Sequence, residues 1–253
     1  MKLNNKVVLI TGAGGGIGQA AVRKFVSEGA KVMLADIGTE TTQLLVDELG
    51  SERCACVSVD VTQADQVANM VRNTVEVFGG IDVFVANAGI EGKIGSIIDT
   101  DVSNLDNVLS VNVRGVWLGL HYVIPVMRDA GGGSIMITSS GAGVKGSPNT
   151  ACYSTSKHAV IGLMRCAALE CAQFGIRVNT VNPGAVETRM MESIEAGFAA
   201  VGAGDFKSMV EAVTPLGRYG QPDEIANMMV FLGSDESSYC TGSVYMVDGG
   251  NAT

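Results

Sequence analysis

Residues 7–18 read VVLITGAGGGIG, a short apolar run that passes directly into a glycine-rich turn. A segment with helical periodicity, Ile17–Glu28, follows at once. Because glycine has no Cβ, the backbone N–H groups of such a turn can approach a pyrophosphate at a helix N-terminus. The G-x-G-x-x-G spacing fits only from Gly16, with Ala21 in the last position, and no Gly-Lys-Ser/Thr follows, which excludes a P-loop. The stretch predicts the first strand, turn and helix of a dinucleotide-binding fold.

The same alternation of short apolar runs and helical segments continues along the chain. Continuously apolar runs are typical of strands buried on both faces, as in a parallel sheet with helical crossovers. The predicted strands are Val7–Thr11, Lys31–Ala35, Ala55–Val59, Val83–Ala86, Ser134–Thr138, Arg177–Val181 and Val244–Val247. The predicted helices are Ile17–Glu28, Thr41–Leu49, Ala64–Phe78, Asn104–Arg128, Tyr153–Phe174 and Asp223–Leu232. No linker divides residues 1–253, so we expect one α/β domain with a doubly wound parallel sheet.

Composition excludes several classes of protein. The 253 residues are 47% hydrophobic and 17% charged, with a formal net charge of −9. Such a chain folds, and its acidic balance argues against nucleic acid or anionic membranes as main partners. No apolar run reaches the roughly 18 residues of a membrane span, and no secretory apolar region opens the sequence. We therefore expect a cytoplasmic protein.

The cysteines show no CxxC motif and no paired spacing, and only two histidines accompany them. No tetrahedral metal site is expected from this set, and buried, reduced thiols are the interpretation. Cys152 directly precedes Tyr153. We interpret it as a small residue in the wall of a pocket, with a reactive thiol as the alternative. The six are Cys54, Cys56, Cys152, Cys166, Cys171 and Cys240.

The stretch Glu187–Thr214 breaks the alternation; it is rich in Met, Ala and Gly and has only a weak helical pattern. Ligands of doubly wound sheets bind beyond the carboxyl ends of the strands, where long insertions form lids. We interpret residues 187–214 as a substrate lid, the alternative being an extra pair of surface helices.

Asp36 stands at the end of the second predicted strand, 18 residues past Gly18. A carboxylate there accepts hydrogen bonds from both ribose hydroxyls of NAD and repels a 2′-phosphate. Ile37 and Gly38 follow, so the Arg or Lys expected for NADP is missing. Asp36 therefore predicts NAD, with a helix cap or a solvated loop acid as the alternative.

Tyr153 and Lys157 lie four residues apart in YSTSK (153–157), on one face of a predicted helix. A nearby ammonium favours the phenolate and can lower a phenol pKa by roughly 1–3 units. Such a tyrosine can take a proton from an alcohol or return one to a carbonyl. Alone, the pair is as well explained by a chance surface pair on a helix.

Other polar groups turn this pair into a candidate site. Ser140 ends the preceding predicted strand, and Asn112 lies inside a long predicted helix, where an amide is a poor helix former. The runs Asn87-Ala88-Gly89 and Asn182-Pro183-Gly184 end two more strands, and Thr188 follows the second. All but Asn112 fall at carboxyl ends of strands or close beyond them, where one ligand meets them together.

The full chain, from Thr11 to the closing Val247-Asp248-Gly249-Gly250, resembles the short, single-domain branch of the short-chain dehydrogenase/reductase family. The motifs that carry the resemblance are TGAGGGIG (11–18), Asp60-Val61, NAG (87–89), Asn112, Ser140, YSTSK (153–157) and NPGAVET (182–188). The resemblance implies a seven-stranded Rossmann sheet, hydride transfer on the B face of the nicotinamide, and assembly as a homotetramer or dimer.

The resemblance also implies residue roles. Ser140 polarises the substrate oxygen and Tyr153 is the general acid/base. Lys157 lowers the tyrosine pKa and binds the nicotinamide ribose, while Asn112 holds a water that links Lys157 to solvent. The implied cofactor-binding residues are Gly12, Gly16, Ile17, Gly18, Asp36, Asp60, Val61, Asn87, Ala88, Gly89, Tyr153, Lys157, Pro183, Gly184, Val186 and Thr188.

The residues expected to line the pocket are mostly small or apolar, with Glu91 and Lys145 as the only nearby charges. They include Ile90, Gly141, Ala142, Val144, Cys152, Gly184 and Ala185, with Met190, Met191, Ile194 and Phe198 above them. We therefore expect a neutral secondary alcohol (aliphatic, cyclic or aryl) or its ketone as substrate. NAD favours the oxidative direction.

Three alternatives remain at this level. A 3-oxoacyl-thioester reductase fits Pro215–Arg218, although Asp36 and the net charge of −9 oppose it. A polyol or sugar dehydrogenase would leave hydroxyls unpaired in an apolar pocket, at about 1–3 kcal/mol each. A dinucleotide-sensing scaffold predicts the loss of Ser140, Tyr153 or Lys157, and all three are present.

Overall fold

Seven parallel strands form a single sheet in the computed structural model, which describes residues 1–252. The strands run in the order β3-β2-β1-β4-β5-β6-β7, and every neighbouring pair is parallel. They are β1 Val7–Thr11, β2 Lys31–Asp36, β3 Cys54–Ser58, β4 Val83–Ala86, β5 Gly133–Thr138, β6 Ile176–Pro183 and β7 Val244–Val247. The order reverses between β1 and β4, so the predicted doubly wound Rossmann sheet is confirmed.

Helices cover both faces of the sheet. They are α1 Gly16–Ser27, α2 Thr39–Leu49, α3 Ala64–Phe78, α4 Val102–Leu109, α5 Gly115–Asp129, α6 Ala151–Cys171, α7 Arg189–Ala200, α8 Phe206–Val213 and α9 Pro222–Gly233. In β1 the side chain of Leu9 joins a core under α3, α5 and α6, whereas Val8 and Ile10 join a second core under α1, α2 and α9. This alternation explains why the strand is apolar at every position.

The prediction of one uninterrupted helix over Asn104–Arg128 was wrong in the middle of that range. The helical rod begins at Val102, and a π-helical turn at Ser110–Arg114 separates α4 from α5. A π turn inserts one extra residue, and such turns occur often at functional sites. Asn112 lies in this turn.

Two further expectations need correction. Residues 187–214 are more helical than their sequence pattern indicated, because they contain α7 and α8. The six cysteines are free, but Cys166 is exposed and only Cys54 and Cys171 are fully buried. Helix α6 explains this pattern, since Cys166 and Cys171 lie on different faces of it.

The carboxyl ends of the strands share one edge, where the loops after β1, β2, β4, β5 and β6 converge. This edge, next to the reversal between β1 and β4, is where doubly wound sheets bind ligands. Within residues 1–252, no helix combines the length and apolarity that crossing a membrane would require.

Candidate active site

The glycine turn packs against itself and against the loop after β4. Gly12 has a φ of 65°, and a Cβ on Gly18 would lie 2.2 Å from the Gly12 carbonyl oxygen. Helix α1 begins at Gly16 without a side-chain cap, so its first N–H groups face the open end of the turn. Free N–H groups at a helix N-terminus suit a phosphate group.

The Asp36 carboxylate holds this turn from the end of β2. Its Oδ2 accepts a hydrogen bond of 2.8 Å from the Gly14 N–H, and its Oδ1 accepts a longer one of 3.4 Å from Gly38. Asp36 remains half-buried, and no cation pairs with it within the described chain. A helix N-terminus for the pyrophosphate and an adjacent carboxylate for the ribose together fit a bound dinucleotide.

Asn87 ties three strand ends together. Its Nδ2 donates to the carbonyls of Thr11 and Gly12, and its Oδ1 accepts from the Thr138 hydroxyl at 3.1 Å. The Thr11 hydroxyl accepts in turn from the N–H groups of Asn87 and Ala88. The predicted NAG motif thus lies against the glycine turn, and it closes one side of the cleft.

Asp60 and Val61 lie after β3, farther along the same edge. The Asp60 Oδ1 accepts from both the N–H and the hydroxyl of Thr62, and these bonds hold the pKa of Asp60 below its usual value. The Val61 side chain packs against Gly115 of α5, where a Cβ would lie 2.8 Å from it. Asp60 therefore shapes a turn and leaves Val61 as an apolar surface.

Lys157 is 5% exposed and lies beneath the Tyr153 ring. Its Nζ donates to the Thr138 carbonyl at 2.8 Å and lies 5.5 Å from the centre of the Tyr153 ring. A Cβ on Gly89 would lie 3.4 Å from the same Nζ. The ammonium thus sits between the tyrosine and the NAG motif.

Burial governs the protonation of this pair. It lowers the pKa of Lys157 from 10.5 to about 8, because the ammonium is removed from water. Burial also raises the pKa of Tyr153. A hydrogen bond with the Ser140 hydroxyl lowers this pKa in part, and the negative charge of Glu91 raises it further. The expected lowering of the Tyr153 pKa by Lys157 is therefore not what this structure gives, since desolvation of the phenol outweighs the other effects.

Ser140 follows β5 and faces the same cleft. Its Oγ accepts the Ala142 N–H at 3.1 Å, and its carbonyl accepts a hydrogen bond of 2.8 Å from Asn182 at the end of β6. The neighbouring Ser139 hydroxyl is buried and donates to the Lys157 carbonyl. Strand ends β5 and β6 are thereby fixed to each other and to α6.

Asn112 is 1% exposed, and its side chain is fully used by protein partners. Its Oδ1 accepts the Ile90 N–H at 2.8 Å, and its Nδ2 donates to the Ile90 carbonyl and the Ser156 hydroxyl. The π turn aims this amide at the loop after β4, a placement that an uninterrupted α-helix would alter. In this structure Asn112 clamps the backbone of Ile90 in that loop against α6.

The end of the NPGAVET motif meets the glycine turn. A Cβ on Gly16 would lie 2.8 Å from the Thr188 Cγ2, and the Thr188 hydroxyl caps α7 by accepting the Met191 N–H. Gly184 donates its N–H to the Val247 carbonyl, and Val186 pairs with Gly220 in an isolated bridge. The motif thus forms the floor of the cleft between α1 and α7.

The α7–α8 segment lies above this floor and rests on few contacts. A Cβ on Gly197 would lie 2.6 Å from Ile94, which shows how closely α7 meets the loop after β4. Phe198 and Phe206 stack with ring centres 4.1 Å apart. Lys207 forms an exposed ion pair of 2.8 Å with Glu187.

The sequence pattern missed several residues that hold the site. Thr11, Thr138, Ser139 and Ser156 each bond a predicted site residue or its loop. Thr11 lies inside the TGAGGGIG motif, which was a usable signal. Ser156 likewise lies inside YSTSK, whereas Thr138 and Ser139 belong to no motif, and only the fold reveals their partners.

Comparisons with known proteins agree with this arrangement. A family model described as Enoyl-(Acyl carrier protein) reductase matches residues 12–252. The cyclohexanol dehydrogenase of Acinetobacter sp. (strain SE19) is 38% identical over 250 residues, which cover 98% of this chain and 95% of that protein.

Two solved structures extend the likeness to the whole fold. A levodione reductase superposes with a TM-score of 0.95 at 37% identity, covering 99% of this chain and 98% of the other. A 3-ketoacyl-(acyl-carrier-protein) reductase from Brucella melitensis, complexed with NADH, gives a TM-score of 0.91 at 30% identity, covering 99% and 100%. The chain is therefore a member of the short-chain dehydrogenase/reductase family, whose enzymes are oxidoreductases that bind nicotinamide dinucleotides.

Proposed function

We propose that this protein is an NAD-dependent dehydrogenase that interconverts a neutral secondary alcohol and its ketone. The observation that carries the proposal is the position of the buried Lys157 ammonium. Its Nζ donates a hydrogen bond to the Thr138 carbonyl and lies 5.5 Å from the centre of the Tyr153 ring. This group shares one cleft with the glycine turn and Asp36. Relatives named for cyclohexanol and levodione support the substrate class.

Tyr153 is the proposed general acid/base. In the oxidative direction its phenolate takes the proton of the alcohol oxygen, while the Ser140 hydroxyl holds that oxygen in place. A bound nicotinamide supplies the acceptor for the hydride that leaves the carbon. The Lys157 ammonium, 5.5 Å from the centre of the Tyr153 ring, is placed to stabilise the phenolate once it forms.

Asp36 supports NAD as the cofactor. Its half-buried carboxylate is anchored by Gly14, and Ile37 and Gly38 beside it offer no positive charge to a 2′-phosphate. The roles proposed for the remaining cofactor-binding residues follow from their places along the same edge. These are Gly12, Gly16, Ile17, Gly18, Asp60, Val61, Asn87, Ala88, Gly89, Pro183, Gly184, Val186 and Thr188.

The α7–α8 segment is the proposed lid. Met190, Met191 and Ile194 are half-buried, and Phe198 is buried. Their apolar character supports a substrate without carboxylate or phosphate groups, since such groups would need a cation near the cleft.

We also propose that the chain forms a homotetramer. Edge strand β7 is apolar throughout but only half-buried, and a cleft of about 460 Å³ opens beside it, lined in part by Leu216 and Met246. Tyr239 is fully exposed, and Leu169 on the outer face of α6 is 83% exposed. Light scattering on the purified protein tests this assembly.

One experiment tests the enzymatic proposal. Absorbance of the reduced cofactor is followed with NAD and with NADP over a panel of neutral secondary alcohols, including cyclohexanol. We expect turnover with NAD, and a loss of about 10²–10⁴-fold in kcat/KM in Tyr153→Phe with NADH binding retained. Full activity in Tyr153→Phe would refute the mechanism. A preference for NADP would refute the role of Asp36, and turnover of 3-oxoacyl thioesters alone would refute the substrate class.

A further inference from the structure

Glu91 lies on a loop that is attached on one side to Asn112 and on the other to the segment just before α6. Asn112 clamps the backbone N–H and carbonyl of Ile90, the residue before Glu91, through two hydrogen bonds. Farther along, Gly95 donates its N–H to the carbonyl of Asn149, two residues before α6 begins. The loop therefore runs along the end of α6 that carries Tyr153.

The residues after Glu91 hold its backbone in place. Gly92 has a φ of 69°, a conformation that favours glycine, and a Cβ there would lie 2.5 Å from Val108. The Lys93 N–H donates to the Oδ1 of Asn104 at 2.8 Å. Glu91 is thus presented from a fixed backbone position, as a group used for recognition should be.

The carboxylate of Glu91 has no hydrogen-bond or ion-pair partner within residues 1–252, although it is half-buried. Lys145, the other charge that the sequence places near the pocket, donates to the Asn251 carbonyl at 2.6 Å instead. The Glu91 carboxylate therefore keeps its acceptor capacity for a ligand.

The loop that carries Glu91 meets α7, where a Cβ on Gly197 would lie 2.6 Å from Ile94. Ile94 is 9% exposed and Phe198 is 7% exposed, and the side chains that α7 adds above them are Met190, Met191 and Ile194. The negative charge of Glu91 also opposes ionisation of the phenol, since it raises the pKa of Tyr153. A group that hinders the proposed base and has no structural partner is best explained by a contact with substrate.

We propose that Glu91 is a specificity residue that accepts a hydrogen bond from a second hydroxyl group of the substrate. The preferred substrate is then a diol, or the corresponding hydroxyketone in the reverse direction. This inference rests on the proposed function, because it assumes that Tyr153 acts on the first hydroxyl. It also explains why an anionic substrate is unsuited to this cleft, since Glu91 would repel it.

The test compares cyclohexanol with the cis and trans isomers of 1,2-, 1,3- and 1,4-cyclohexanediol, all with NAD. In the wild-type enzyme, at least one diol should exceed cyclohexanol in kcat/KM by about tenfold, the effect of one hydrogen bond to a charged group. In Glu91→Ala that ratio should fall to about one. Glu91→Gln should keep part of it, because the amide oxygen still accepts a hydrogen bond.

A matched variant separates contact from general charge. Asp101→Asn removes a negative charge from the same connection between β4 and α4, at an exposed residue whose side chain caps nothing, and should keep the diol preference. Glu91→Ala and Glu91→Gln should both move the acidic limb of the kcat/KM profile to lower pH. The charged and polar groups that act on Tyr153 besides Glu91 are Ser140 and Lys157, and both variants leave them in place.

The outcomes distinguish this inference from the proposed function. If no diol is preferred by the wild-type enzyme, or if Glu91→Ala keeps the preference, Glu91 is not a specificity residue although the dehydrogenase proposal stands. If the wild-type enzyme turns over neither cyclohexanol nor any diol, both proposals fail. NADH binding, followed by fluorescence, verifies that each variant is folded.

Discussion

The two sides of the cleft are built differently. On the proposed cofactor side, buried polar side chains bond backbone groups of neighbouring strand ends, as Asn87, Asn112 and Lys157 do. On the proposed substrate side, α7 and α8 are held by a stacked Phe198–Phe206 pair, by close apolar packing and by an exposed ion pair. The first arrangement requires particular residues, whereas the second tolerates many apolar sequences.

This difference assigns distinct roles to the two sides. A buried polar group that loses its partner costs about 1–3 kcal/mol, so the network on the cofactor side admits few substitutions. Apolar contacts of similar volume replace one another at lower cost. The substrate side can therefore change its shape while the chemistry on the other side stays fixed. Substitutions on the two sides test this contrast.

Gly18→Ala should have the largest effect on stability. The added Cβ would lie 2.2 Å from the Gly12 carbonyl and 2.8 Å from the Cα of Ala13, and both are backbone atoms that cannot move aside. We expect the free energy of unfolding in urea to fall by about 3 kcal/mol or more, with loss of NADH binding. Gly80→Ala, where nothing lies within 4 Å of the new Cβ, is the control. Equal effects of the two substitutions would contradict the close packing of the turn.

Lys157→Met should abolish turnover and change how stability depends on pH. The pKa of Lys157 is about 8 in the folded protein, whereas an exposed lysine, as in the unfolded chain, has a pKa of 10.5. Between these two pH values the unfolded chain binds a proton that the folded chain does not. Wild-type stability therefore rises with pH across this window, and the methionine variant lacks that contribution. The stability of the variant relative to wild type should fall by up to about 3 kcal/mol from pH 7 to pH 10.5. Urea unfolding at several pH values measures this difference, and a difference that stays constant between pH 7 and pH 10.5 would refute the burial of Lys157.

Asn112→Ala should cost about 2 kcal/mol of unfolding free energy, because the Ile90 N–H and carbonyl both lose their partner. It should also lower kcat, since the loop after β4 is no longer clamped to α6. Asn104→Ala is the matched control, because Asn104 holds the same loop through one bond and its Nδ2 has no partner. A larger loss of stability in the control would show that the π turn does not position this loop.

The same contrast explains how far the sequence could predict this molecule. Asp36, Asn87 and Tyr153 were found because they are polar residues at strand ends or in fixed spacing, where geometry allows few alternatives. The π turn at Ser110–Arg114 was missed, because its hydrogen-bond shift leaves no mark on apolar periodicity. The bonds of Ser139 to Lys157 and of Ser156 to Asn112 join residues that are far apart in sequence, so no local pattern indicates them. The helices of residues 187–214 were weakly predicted, since short helices there depend on packing rather than on pattern.

Gly197→Ala on the substrate side should have the smallest effect on stability and a distinct effect on kinetics. The new Cβ would lie 2.6 Å from Ile94, so α7 has to move away from the loop after β4. Alanine in a helix interior gains up to about 1 kcal/mol over glycine, which offsets the crowding, so the free energy of unfolding should change by less than about 1 kcal/mol. The KM for the alcohol should rise severalfold with NADH binding unchanged, because α7 is part of the proposed substrate lid. Gly162→Ala on α6, with nothing within 4 Å, should stabilise the protein and leave KM unaltered. If instead Gly197→Ala weakened NADH binding as strongly as it raised KM, the two sides of the cleft would form one unit, and the separation between fixed chemistry and adaptable recognition would not hold.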